Sequence, residues 1–226
     1  MISWTDIDTI MFDMDGTLLD LHFDNYFWQT LVPQMYSQEH GIPEPEAYEL
    51  VMAKNKAARG KLEWYCLDYW EQELKLKITE LKHTITHKIC VRPNVEKLLQ
   101  ELRLHEKQLL LITNAHPNSL EIKMRHTELG KYFHDRISSH TLNKAKEHHG
   151  FWEELKELFP YEPARTALFD DSLPVLRQAQ REGIRHLFAI KQPDSKRPAL
   201  VAEEFHQVED FEHFMPSLAL KTAETD

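Results

Sequence analysis

Apolar and polar positions change rhythm along this chain. A short apolar run, Thr9-Ile10-Met11-Phe12, is rich in β-branched and aromatic residues and predicts a buried strand. From Asp20 to about Cys90 the alternation disappears and aromatic residues crowd in, among them Phe23, Phe27, Trp28, Trp64 and Trp70. Phe27, Leu31 and Met35 recur at helical spacing, although Pro33 predicts a kink or an early end. Gly41-Ile42-Pro43-Glu44-Pro45 is a break. Leu62, Cys66, Trp70 and Leu74 then form a second stripe, which predicts an amphipathic helix. The stretch reads as a small helical bundle inserted after the first strand.

Beyond Val91, helix and strand alternate. Pro93 suits a helix start and leads into Val95, Leu98, Leu99 and Leu102. Gln108 to Asn114 is a continuous apolar strand with a polar end, the texture of a parallel strand covered on both faces. Asn118-Ser119-Leu120-Glu121 predicts a capping box, opening a helix that Gly130 closes. A short strand follows over Arg136–Ser139, then a helix from about His149 to Phe159, ended by Pro160. The next strand runs from Arg165 to Phe169, the next helix from Ser172 and Pro174 to Gly183, and a last strand from Ile184 to Ile190. After Gln192 the chain is Pro-rich, acidic and weakly patterned. The whole predicts an α/β fold, a parallel sheet with right-handed crossovers.

Polar residues gather where three strands end: Asp13 and Asp15, Thr113 and Asn114, Asp170 and Asp171. Ligands of such sheets bind outside the carboxyl ends of the strands. Asp13 and Asp15 share a face as far as the strand continues, and Gly16 bends the chain there. Two carboxylates about 4 Å apart repel by roughly 4 kcal/mol at an effective dielectric near 20. A divalent cation would compensate; a solvated turn is the plainer alternative for an isolated D-x-D.

Composition narrows the classes. A chain of 226 residues fits one large domain, or a core with a small insert, and 42% hydrophobic residues can fill a core. The net charge of −10 argues against nucleic acid or an anionic membrane as partner, so an anionic substrate needs locally placed cations. Cys66 and Cys90 are too few for a disulfide framework. Met1-Ile2-Ser3-Trp4 begins no signal peptide, and no run is long enough to span a bilayer, which suits a cytoplasmic protein.

Asp13-Met14-Asp15-Gly16-Thr17-Leu18 resembles the first motif of the haloacid dehalogenase-like (HAD) superfamily. Leu109 to Thr113 resembles the second motif, and Phe169-Asp170-Asp171-Ser172 the fourth. The third calls for a lysine, for which Lys144 and Lys146 are candidates. Lys146 is better placed ahead of Phe151 and Trp152, although Glu147 stands where the family usually has proline.

The resemblance implies a Rossmann-like core with strand order 3-2-1-4-5, made of residues 1–19 and 91–226, and a C1-type helical cap over 20–90. It implies a Mg2+-dependent phosphomonoester hydrolase working through an aspartyl-phosphate. Asp13 would be nucleophile and Asp15 general acid and base, with Thr113, Asn114 and Lys146 on the phosphoryl group. Asp13, the backbone carbonyl of Asp15, and Asp171 would hold Mg2+, supported by Asp170. The runs 21–28, 64–70 and 113–117 are further similar to the GMP/IMP 5'-nucleotidase branch, which implies a purine nucleoside monophosphate as the small-molecule substrate. A sugar-phosphate phosphatase, a phosphomutase and a catalytically idle binding protein remain alternatives. The insert's aromatic rings could stack on a base or simply form its core.

Overall fold

The computed structural model describes residues 4–199 and 204–215. Strand β1 (Thr9–Phe12) is buried at every position, because neighbouring strands and both flanking layers cover it. The chain then leaves for the insert: α1 (His22–Tyr26), α2 (Val32–His40), α3 (Glu44–Ala58), α4 (Leu67–Leu74) and α5 (Ile78–Thr84). It returns through α6 (Val95–Leu104), β2 (Gln108–Thr113), α7 (Pro117–Thr127), β3 (Asp135–Ser138), α8 (Phe151–Leu158), β4 (Thr166–Asp170), α9 (Leu173–Arg181), β5 (His186–Ile190) and β6 (His206–Val208). Outgoing and returning segments are paired, with Asp20 N–H donating to Cys90 O and Arg92 N–H to Leu18 O, each at 2.9 Å.

The strands pair in parallel in the order β3-β2-β1-β4-β5-β6. Phe12 lies opposite both Leu111 and Phe169, so Asp13 leaves the sheet level with Asp170. Successive β1 side chains point to opposite faces. Ile10 and Phe12 join the core containing the insert, α6, Phe211 and Phe214. Met11 joins Leu110, Ile112 and Leu168 under α8 and α9. Phe12, Phe169 and Phe188 stack across three strands, at 5.0 and 4.7 Å between centroids.

Several local expectations are corrected. Pro33 sits in the first turn of α2, just after a π-helical turn over Phe27–Leu31 that separates α2 from α1. There Val32 N–H reaches Phe27 O, a wider turn than an α-helix allows. The stripe from Leu62 to Leu74 is not one helix. Leu62–Tyr65 is a 3-10 turn, Cys66 is extended, and α4 starts at Leu67. The Trp64 carbonyl there accepts the Trp70 indole N–H at 2.9 Å.

Helix α7 starts at Pro117, where a missing N–H costs nothing, and is capped by His116 rather than by Asn118. It ends at Thr127, ahead of Glu128 in the left-handed region, and Gly130 lies in the next 3-10 turn. Helix α8 begins at Phe151, after Gly150 at φ 79°. The weakly patterned tail adds β6 and a 3-10 turn, Phe211–Phe214; residues 200–203 and 216–226 lie outside the described residues. No described helix is long and apolar enough to cross a membrane, and both cysteines are free.

Candidate active site

Asp13 is locked beside β4 by its own N–H, which donates to Phe169 O at 2.9 Å. Lys146 reaches it from the loop after β3. Its buried ammonium donates to Asp13 Oδ1 at 2.6 Å, Asp170 Oδ2 at 2.7 Å and Ile112 O at 3.1 Å. Oxygens of Asp13, Asp170 and Asp171 all lie within 4.8 Å of one another. Asp170 also accepts Ser172 N–H at 2.9 Å, which fixes the turn into α9. Gly16 is required beside them: at φ 87°, any Cβ would come within 2.6 Å of Asp171 Oδ2.

Burial pushes the Asp13 carboxyl up to about 6; Lys146 opposes this and the Asp170 charge adds to it. Asp170 is raised by burial against the pull of Lys146. Asp171 is raised well above the ordinary range, by burial and then by the charges of Asp13 and Asp170. Burial alone would lower Lys146, but its two carboxylate partners outweigh that and raise it. Three converging carboxylates thus share one ammonium. A set of hard oxygen donors with that surplus of negative charge fits a divalent cation such as Mg2+.

Asp15 stands apart from this cluster. Its Oδ1 accepts from Lys123 Nζ at 2.6 Å, and the same ammonium donates to Asp24 Oδ2 at 2.6 Å. Asp24, on α1, also takes Lys82 of α5 at 2.8 Å. Burial and the Asp24 charge push Asp15 up to about 6, with Lys123 opposing. Burial would raise Asp24 too, but Lys123 and Lys82 hold it down to about 2. Sequence reasoning missed Lys123, Asp24 and Lys82. The available signal was a lysine in the apolar phase of a helix, since Ile78, Lys82 and Ile85 share one buried face.

Thr113 Oγ accepts Ala115 N–H at 3.0 Å, which leaves its own O–H as a donor at the strand end. Asn114 Oδ1 accepts Lys146 N–H at 2.9 Å and its amide donates to Glu147 Oε2 at 2.8 Å, so its side chain braces the lysine loop. The other Glu147 oxygen accepts from Tyr65, on the insert, at 3.0 Å. Burial, then the Glu147 charge, raises the Tyr65 hydroxyl, which remains a donor. Of the two candidate lysines, Lys146 meets the acids, while Lys144 pairs with Glu154.

A model of the haloacid dehalogenase-like hydrolase family matches residues 7–183, which contain every one of these groups. The chain belongs to the haloacid dehalogenase-like hydrolases. Among curated relatives of this hydrolase, the GMP/IMP nucleotidase YrfG of Escherichia coli is 36% identical over 217 residues, 96% of this chain and 98% of that one. A HAD phosphatase from Thermococcus onnurineus has the same fold, with a TM-score of 0.77 at 23% identity, covering 92% of this chain and 96% of its own. So does the Bacillus subtilis HAD-hydrolase YfnB, solved with magnesium bound, at a TM-score of 0.63 and 18% identity over 92% and 96%.

Proposed function

We propose that this phosphatase hydrolyses purine nucleoside 5'-monophosphates, GMP and IMP, with Asp13 as nucleophile and Mg2+ as cofactor. One observation carries the chemistry: buried Lys146 ties Asp13 to Asp170 while Asp15 is held separately by Lys123. The substrate rests on similarity to the Escherichia coli nucleotidase, which runs through the insert as well as the sheet.

Asp13 attacks phosphorus as the ester bond breaks, giving an aspartyl-phosphate. Asp15 gives its proton to the departing ribose oxygen, then takes one from the water that attacks phosphorus and frees phosphate. A carboxyl near 6 can do both at neutral pH. Thr113 O–H and Lys146 Nζ donate to the phosphoryl oxygens, and such charge stabilisation is most of what phosphoryl transfer asks of a protein. Asn114 keeps the Lys146 loop in place. Asp13, Asp171 and the Asp15 carbonyl, supported by Asp170, would hold Mg2+, which neutralises phosphoryl charge when bound. Residues 20–90 act as a cap, closing on the core (1–19 and 91–226) to exclude water.

Steady-state kinetics on IMP, GMP, AMP, a pyrimidine monophosphate and a hexose phosphate test this reading. IMP and GMP are expected to exceed the hexose phosphate in kcat/KM by at least about tenfold. A smaller margin removes the nucleotidase assignment and favours a sugar-phosphate phosphatase with the same chemistry. No phosphate release from any of them, nor from an aryl phosphate with Mg2+, would make the protein a binding protein instead.

A further inference from the structure

A polar pair that phosphoryl transfer does not use joins the loop leaving β2 to the insert. His116 Nδ1 accepts the Asn118 N–H at 3.3 Å as it caps α7, so the ring proton sits on Nε2. Nε2 faces Asp68 Oδ2, on the first turn of α4, at 3.6 Å. The His140 ring packs edge-on against the His116 ring at 5.1 Å and steadies its orientation. The His116 side chain is 12% exposed and that of Asp68 66%, so the pair opens to solvent from the insert side. Cys66 lies within 4.8 Å of both, but a metal on Nε2 would move the ring proton to Nδ1, against the Asn118 N–H that Nδ1 accepts.

Each member of the pair lies a short way along the chain from a residue at the candidate active site. His116 follows Thr113 by three residues, and Asp68 follows Tyr65, which touches Glu147, by three. Three residues of chain span at most about 10 Å, which bounds how far the His116 backbone can lie from Thr113 and the Asp68 backbone from Tyr65. A fixed N–H donor beside a carboxylate acceptor is a specific pattern. It complements the six-oxo edge of guanine and hypoxanthine, where a carbonyl acceptor adjoins an N1–H donor. Adenine reverses both groups, so donor would face donor and acceptor would face acceptor.

We propose that Asp68 and His116 read the base: Asp68 accepts the purine N1–H, and His116 Nε2–H donates to the six-oxo oxygen. This rests on the nucleotidase reading above and gives it a basis for rejecting AMP. A site built to pair polar groups disfavours the mismatched analogue because, with the base bound, donor meets donor and acceptor meets acceptor.

The test is the ratio of kcat/KM for IMP to that for AMP, measured in the wild type, Asp68→Asn and His116→Asn. The ratio is read within one protein, so a partial loss of folded enzyme cancels. Asp68→Asn presents an amide to adenine N1, and the ratio is expected to fall at least about tenfold. His116→Asn keeps an oxygen to cap α7 but is too short to reach the base, and the ratio is expected to fall in the same direction. A change of less than about threefold in either variant overturns the proposal, as does a wild type that turns over AMP as well as IMP. A wild type that prefers neither IMP nor GMP to the hexose phosphate overturns the nucleotidase reading itself, and this proposal with it.

Discussion

Lys123 Nζ lies 2.6 Å from Asp15 Oδ1, and it reaches that carboxylate from the middle of α7. The same ammonium holds Asp24, so the proposed general acid is tied to the first helix of the insert. The network of Asp15, Asp24, Lys82 and Lys123 is neutral when all four are ionised, and both lysines are buried. Removing one partner of a buried pair leaves an uncompensated charge and costs about 3–5 kcal/mol. Lys123→Met is therefore expected to lower the unfolding free energy read from urea titration by about 3–5 kcal/mol, seen as a lower midpoint, and to reduce kcat. An unchanged midpoint would show that the network contributes little to the fold.

Asp13→Asn keeps the shape of the nucleophile and removes its charge. Activity on any phosphomonoester is expected to fall at least about a thousandfold, even with saturating Mg2+. Phosphate release should be followed with the metal titrated. Robust turnover would move the nucleophile elsewhere.

Lys146 and Lys144 separate cleanly, because one meets Asp13 and Asp170 while the other pairs with Glu154 near α8. Lys146→Ala is expected to lose about 3–4 kcal/mol of transition-state stabilisation, as when one charge-stabilising donor is removed. Lys144→Ala should stay near wild type. The reverse ranking in kcat would assign the phosphoryl lysine two positions earlier.

The sheet is legible in the sequence because its central strands are apolar runs that stop at acids or at a threonine, as at Phe12-Asp13 and Phe169-Asp170. A parallel strand buried on both faces has no other way to be written. Strand β6 is not legible: His206-Gln207-Val208 is a short edge strand with no apolar run. The break at Cys66 is hidden for a different reason. Leu62, Trp70 and Leu74 keep helical spacing, while the backbone passes from a 3-10 turn through an extended Cys66 and the Trp70 indole bonds Trp64 O across the break. Glu147 was visible as a departure from proline, yet its bonds to Asn114 and Tyr65 depend on how the insert folds back.

Acidity gives a fourth expectation. Asp13 and Asp15 are pushed up to about 6, by burial above all, from an ordinary value of 3.8. Such carboxyls favour the folded state while protonated. In the metal-free protein their stabilisation is fully present below about pH 4 and is lost as pH rises through about 6. Asp24, held down to about 2, is ionised in folded and unfolded chains above about pH 5 and adds no slope there; below that its stabilisation falls away as the pH drops, the opposite sign. Mg2+ takes the ionised cluster and competes with protons. Its addition should raise Tm more near pH 7 than near pH 5, by calorimetry. An equal rise at both would mean that the metal does not bind these carboxylates.

The insert's hold on the active-site loop yields the last expectation. Tyr65 reaches Glu147, Glu147 reaches Asn114, Asn114 accepts from the Lys146 backbone, and Lys146 Nζ touches Asp13. A second contact, His148 to the Gly60 carbonyl at 2.9 Å, joins the same two segments. Glu147→Ala would leave the half-buried Tyr65 phenol and the Asn114 amide without their acceptor, at about 1–3 kcal/mol for each group that finds no substitute. Tyr65→Phe removes only the hydroxyl and leaves the Asn114 contact in place, so its effect should be smaller. Both changes should act on the closed state of the insert, raising KM for nucleotides more than they lower kcat. The double variant is the decisive measurement. If Tyr65 acts through Glu147, its loss in the Glu147→Ala background should cost almost nothing further in kcat/KM, giving a coupling of about 1 kcal/mol or more. Additive losses would mean that Tyr65 and Glu147 serve the site independently, and that the insert is coupled to Lys146 by some other contact.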